Sequence, residues 1–160
     1  MSAPETRTQG RRAPLPPRWV IRTAWAIHRA IFAVTGGRRG LRPQTPTRWG
    51  MMRLRTVGRR SGVERHAILG YFEDGPNLVT MAMNGWGDAE PAWWLNLQAH
   101  PDVTVDLVDG PRQVTGRQAQ GEEHERLWDR WRQIDKNLDA YAARRSMPTA
   151  VVVLEPWLQS

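Results

Sequence analysis

Hydrophobic and polar positions change period along this chain. Val20, Ala24, Ile27, Ile31 and Val34 recur at spacings of four and three, with Ile21, Trp25, His28 and Phe32 in an adjoining stripe. Residues 18–35 therefore read as a helix with a wide apolar face. Arg18, Arg22 and Arg29 share another face, Gly36-Gly37 supplies the stop, and Arg38-Arg39 follow. From Trp49 the period drops to two. Met51–Val57 sets arginines between apolar residues, as a half-buried strand does. Ala67–Phe72, Leu78–Met83, Val103–Val108, Gln113–Ala119 and Thr149–Leu154 also read as strands. Asp74-Gly75 and Asp109-Gly110 are turn signals placed for antiparallel hairpins. Pro91–Ala99 reads as a short helix, with Pro91 in the first turn, where a missing N–H costs nothing, and Pro101 beyond its end. A further helix from Glu122 to Ile134 carries Leu127, Trp131 and Ile134 at core spacing. Six strands with short turns and few crossover helices predict a mainly β (α+β) protein, a small antiparallel barrel rather than a Rossmann sheet.

At 160 residues the chain suits one folded domain. Residues 1–17 read as a disordered basic tail, 18–40 as the amphipathic helix and its Gly/Arg turn, and 41–160 as the barrel. Forty per cent apolar residues, nine of them tryptophan, supply one modest core with large burial units. Cysteine is absent, which excludes disulfides, thiolate metal sites and a cysteine nucleophile. His28, His66, His100 and His124 lack metal-ligand spacing, so no metal is expected, and His28 reads as a packed or snorkelling residue. Asp102, Asp106 and Asp109 read as surface charge. There is no G-x-S-x-G elbow for hydrolysis, and no GxGxxG or Walker loop for a nucleotide. The net charge of +7 favours anionic partners. Its arginines are not interleaved with aromatics on a strand platform, so nucleic acid is not expected. No apolar run reaches the ~18 residues of a spanning helix, and no apolar core of a signal peptide is present. The expected location is cytoplasmic. Helix 18–35, basic on one face and Trp/Phe-bearing on the other, would lie on the anionic inner face of the membrane, or pack across the barrel or against a second subunit. A homodimer is compatible with either.

Two segments carry the candidate chemistry. Thr56-Val-Gly-Arg-Arg-Ser-Gly-Val-Glu-Arg65 places two glycines, a serine and three guanidinium groups between two strands. Glycine lets backbone approach a ligand closely, and arginine presents a donor fork that suits phosphate and carboxylate oxygens. Such a loop suits an anionic tail; an exposed basic hairpin turn is the alternative. Further on, Asn84-Gly-Trp-Gly-Asp-Ala-Glu-Pro-Ala-Trp-Trp-Leu-Asn-Leu-Gln-Ala-His-Pro101 runs from a glycine-rich loop into the short helix. Trp93 lies three residues before Asn96 and four before Leu97, so they share a face. An indole and a carboxamide there could flank a planar ring, or the tryptophans could simply bury against the sheet. Asp88 or Glu90 would complement the helix N-terminus.

In this order the segments, with the closing Val151-Val-Val-Leu-Glu-Pro156, resemble the deazaflavin-dependent nitroreductase family, with its T-x-G-R-K/R-S-G-x-x-R and P-A-W-Y/W-x-N-L-x-A-x-P motifs. The resemblance covers residues 49–157. It implies a split β-barrel of the flavin-reductase type, binding of the 8-hydroxy-5-deazaflavin coenzyme F420, and hydride transfer to a hydrophobic acceptor such as a quinone, an enone or a nitro compound. By the family's first motif, Arg59, Arg60, Ser61, Gly62 and Arg65 would hold the coenzyme's phosphate and acidic tail. By the second, Trp93 and Asn96 would shape its pocket, and the backbone at Ala67, Ile68 and Leu69 would lie along the ring. Tyr141 sits near where family members place a substrate-pocket tyrosine, and is the candidate proton donor or oxyanion stabiliser; a tyrosine capping the barrel mouth is the alternative.

The chain departs from the family at one place. Where nitroreductases carry Ser-Lys-Gly-Gly, it has Met83-Asn84-Gly85-Trp86. Asn84 can donate a hydrogen bond to the coenzyme but brings no charge. With the amphipathic helix, this resembles the family's lipid-binding, membrane-associated branch. A non-catalytic lipid- or cofactor-binding barrel, and an FMN- or haem-binding protein on the same fold, therefore stand beside the reductase.

Overall fold

The computed structural model describes residues 17–34 and 40–157. Apart from Pro17, the expected disordered tail lies outside the described residues, as do Gly36-Gly37 and Arg38-Arg39. So do the side chains of Trp25, His28, Arg29, Ile31, Phe32 and Val34. Helix α1 spans Arg18–Val34. Then come β1 (Gly50–Val57), β2 (Glu64–Asp74), β3 (Asn77–Met81), a 3-10 turn at Asn84–Trp86 and α2 (Ala92–Ala99). The chain continues through β4 (Asp102–Leu107), β5 (Gly110–Gln118), α3 (Gly121–Ile134), α4 (Leu138–Ala142) and β6 (Val151–Pro156). The strands close into an antiparallel barrel in the order β1-β2-β3-β6-β5-β4, with β4 returning to β1. The six-stranded barrel expected from the pattern is the one that forms. Among the described residues no helix is long and apolar enough to cross a membrane.

The barrel buries apolar groups on two sides of its wall. Met52, Leu54, Leu78, Val105, Val152 and Leu154 belong to the interior, drawn from four strands. Phe72, Val79, Met81, Val151 and Val153 face outward and are covered by Leu127 and Trp131 of α3. Strand β6 contributes alternate residues to both layers, which is why it reads as an unbroken apolar run instead of alternating. Strand β1 has one wet face, and its Arg53 and Arg55 stand between buried Met52, Leu54 and Thr56. Helix α2 lies so close to β5 that a Cβ on Gly116 would sit 2.6 Å from Leu97.

Three expectations need correction. Strand β2 begins at Glu64, ahead of the apolar stretch, because Val57↔Glu64 pairing carries its polar start into the sheet. Helix α4 was not foreseen; five residues show no resolvable period. Asp106 is no surface charge: it is 7% exposed and lies opposite Arg53 in the β1–β4 register. Arg53 Nε donates to its Oδ2 at 2.5 Å and Arg55 Nη2 to its Oδ1 at 2.6 Å. Burial alone would raise this carboxyl, but the hydrogen bonds from Arg55 and Arg53 outweigh it and hold Asp106 below the usual carboxylate range.

Candidate functional site: a basic cleft along an open strand edge

Strand β2 is paired with β1 from Glu64 to Tyr71, but with β3 only from Phe72 to Asp74. Among the described residues no strand pairs with its other edge between residues 65 and 69, and the Gly70 carbonyl accepts from Thr80 Oγ1 of β3 at 2.8 Å. That edge forms the floor of a cleft of about 1910 Å³, whose walls are the β1–β2 loop, α2, the 3-10 turn and the first half of α1. An unpaired strand edge offers a row of backbone donors and acceptors. Ala67, Ile68 and Leu69, expected along a ring, line this floor. Trp49 closes one end; its indole lies over Gly70, where a Cβ would come within 3.1 Å of it, and packs on Trp131 at 6.0 Å.

The β1–β2 loop is tightly closed. Gly58 N–H donates to the Val63 carbonyl at 2.8 Å, and Gly62 N–H to the Gly58 carbonyl at 2.8 Å. Asn96 reaches it from α2: its Oδ1 accepts the Arg59 backbone N–H at 3.1 Å and Arg59 Nη1 at 3.2 Å. Its Nδ2 donates to Thr56 Oγ1 at 3.5 Å. Asn96, 5% exposed, thus anchors the loop with the carboxamide foreseen as a ring contact. Arg59 is engaged by Asn96, whereas Arg60 and Arg65 line the cleft without an acidic partner among the described residues. Ser61 lines it beside them, and its Oγ accepts the Val63 N–H at 3.3 Å. Gly62 is not on the wall; at φ +68° it makes the bend that glycine permits.

Trp93 is half-buried on the α2 wall against Trp94, at 6.2 Å between rings. Asn84 lines the cleft, and its Nδ2 donates to the Ala89 carbonyl at 2.8 Å. Tyr141 does not line it: its ring stands 6.0 Å from that of Trp86, which does. Helix α1 contributes Arg18, Ile21, Arg22, Thr23 and Ala26 to the wall. Packing across the barrel is one of the alternatives expected for this helix, but the period alone does not say which of its residues reach the cleft, because it shows that a face is apolar without showing what covers it. Among the described residues six arginines line the cleft (18, 22, 53, 59, 60 and 65) against the single carboxylate of Asp135. The arrangement is electropositive and offers an exposed peptide edge beside indole side chains.

The closed six-stranded antiparallel barrel is the split-barrel fold of F420-dependent reductases. A solved F420-H2 dependent reductase superposes with a TM-score of 0.60, at 25% identity, covering 66% of this chain and 93% of that one. A second solved structure, a domain-swapped dimer, shares the fold with a TM-score of 0.61 at 23% identity, covering 84% and 99%. Residues 25–156 match the F420H(2)-dependent quinone reductase family. An F420H(2)-dependent quinone reductase of Mycobacterium tuberculosis is 34% identical over 134 residues, 80% of this chain and 87% of the relative. The chain belongs to the F420H(2)-dependent quinone reductase family and is an F420-dependent oxidoreductase.

Proposed function

We propose that the cleft holds the reduced deazaflavin coenzyme F420 along the open edge of β2 and presents it to a quinone that enters beside Trp86. One observation carries the assignment: Arg60 and Arg65 face a cleft floored by an unpaired strand edge, with no acidic partner among the described residues. These guanidinium groups, with Ser61, fit a phosphate and carboxylate tail through charge-assisted hydrogen bonds. The peptide groups of Ala67, Ile68 and Leu69, with Trp93 as a flank, fit a flat ring system. Asn96 holds the arginine loop in place, and Tyr141 steadies Trp86 from behind. When bound, the coenzyme supplies a hydride, and a quinone that gains it with one proton becomes the hydroquinone. Indoles at Trp49, Trp86 and Trp93 keep the reacting groups from water.

Titration of the purified protein with coenzyme F420, FMN and haem, followed by absorbance and tryptophan quenching, tests this reading, together with turnover of the reduced coenzyme by a quinone. Saturable F420 binding and quinone-dependent oxidation are expected. A protein that purifies yellow with FMN or red with haem would overturn it.

The outward side of α1 favours a second reading, contact with an anionic bilayer. Trp19 is 69% and Ile27 55% exposed there, while Arg18 and Arg22 of the same helix stand on its cleft side. Co-sedimentation with anionic liposomes at low salt is the expected outcome; protein left in the supernatant would remove the membrane from the account.

A further inference from the structure

The loop between β3 and α2 is held from behind by Arg145, whose side chain has no exposed surface (0%). Its Nε donates to the Gly87 carbonyl at 2.8 Å. One terminal nitrogen donates to the Ala82 carbonyl at 3.0 Å and to Thr149 Oγ1 at 2.9 Å. The other reaches the Ala89 carbonyl at 3.5 Å and Glu90 Oε1 at 3.3 Å. These partners bracket the loop from end to end. A second tie joins the same segments, the Ser146 N–H donating to Asp88 Oδ1 at 2.8 Å. On its opposite side the loop faces the cleft with Met83, Asn84, Gly85 and Trp86. Asn84 and Trp86 hold φ of 47° and 64°, a left-handed region that asparagine tolerates but a bulky residue such as tryptophan avoids. Such conformations persist only where the surroundings over-determine them, and they cluster at functional sites.

We propose that Arg145 is a positioning residue for quinone reduction: by gripping the carbonyls of residues 82–89 it holds Trp86 as the wall against which the acceptor packs. This rests on the function proposed above. The acceptor, rather than the coenzyme tail, is the group affected. Arg60 of the β1–β2 loop and Arg65 at the start of β2 belong to a different segment, whose loop has its own anchor, Asn96, whereas Met83 and Trp86 bring apolar surface and no charge. Only a guanidinium presents enough donors in a rigid fork to serve three carbonyls, a hydroxyl and a carboxylate together; a lysine ammonium has three donors on one atom.

The test uses the full chain with Arg145→Lys. Coenzyme-free protein is titrated with a 1,4-naphthoquinone by tryptophan quenching, and separately with coenzyme F420; steady-state turnover and thermal unfolding are measured alongside. We expect the quinone Kd and KM to rise about tenfold while coenzyme Kd and kcat stay within about threefold, the signature of lost acceptor binding. A folded variant with the wild-type quinone Kd overturns the proposal. So does a parallel loss of coenzyme and quinone binding, which marks a structural role alone. If Arg145→Lys does not fold, Asp88→Ala decides: it removes the second, exposed tie and should raise quinone Kd about threefold, and an unchanged value overturns the proposal. Wild-type protein that binds quinone but no coenzyme F420 refutes the proposed function, an outcome the two titrations keep distinct from failure at Arg145.

Discussion

The β1–β2 loop and the β3–α2 loop both border the cleft and both depend on arginine, in opposite ways. In the first, Arg60 of the loop and Arg65 just beyond it on β2 line the cleft with exposed side chains, and a buried neutral side chain, Asn96, holds the backbone in shape. In the second, the arginine is the buried part: Arg145 is consumed by carbonyls, and the groups shown to the cleft are Asn84 and Trp86. One loop keeps its charge available for a ligand, and the other uses charge to fix an apolar surface. A count of arginines cannot tell these uses apart; their hydrogen-bond partners can.

The contrast breaks if the two kinds of arginine behave alike on truncation. Replacing Arg60 and Arg65 together with alanine should weaken coenzyme binding by on the order of 3–6 kcal/mol, since each charge-assisted bond is worth about 1.5–3. Thermal stability should scarcely move, because both side chains are exposed and have no acidic partner among the described residues. Fluorescence titration and thermal unfolding measure the two quantities; an unaltered coenzyme affinity would place the anion site elsewhere. Arg145→Met should do the reverse in unfolding experiments and cost roughly 3 kcal/mol of stability, because it leaves buried carbonyls and Glu90 without their donor. Wild-type stability in that variant would mean the clamp is idle.

Asn96→Ala sharpens the same contrast at smaller amplitude. It frees the buried Thr56 hydroxyl and the Arg59 N–H, at a cost of about 1–3 kcal/mol of stability. Coenzyme affinity should fall with it, since the loop that carries Arg60 loses its anchor. Stability lost without any change in affinity would show that the loop keeps its shape unaided.

Much of this was legible in the chain, because the information was local. The alternation in Met51–Val57 needs one wet and one buried face, and β1 has them. The Thr56–Arg65 and Pro91–Pro101 motifs marked two segments that meet in one cleft. What stayed hidden depends on non-local partners. Arg145 sits in an unremarkable Ala-Arg-Arg-Ser run, and its burial is decided by the carbonyls of Ala82 and Gly87 far back in the chain. Asp106 reads as one of several strand acids until the β1–β4 register brings it between Arg53 and Arg55. The polar start of β2 has no apolar period; only its pairing makes it a strand.

Asp106 offers the smallest effect and an intermediate case between the two loops. Its partners are partly exposed, Arg53 at 22% and Arg55 at 34%, so solvent screens the pair and its contribution to stability should be about 1 kcal/mol. Burial acts to raise the carboxyl, and hydrogen bonds from Arg55 and Arg53 more than reverse that. Its folded-state pKa therefore lies below the unfolded value of about 4. Above that value Asp106 is charged in both states and the stabilisation is complete. As pH falls through the lower, folded-state pKa, the folded protein also takes up the proton and the contribution disappears. Asp106→Asn should thus be less stable than wild type at pH 7, with the gap closing as pH drops below about 4. Asp74, held low chiefly by its hydrogen bond from Arg126, leaves the variant some acid sensitivity of its own. Unfolding curves for both proteins between neutral and acid pH measure the gap, and one that widened toward acid would mean burial, not the arginines, governs Asp106.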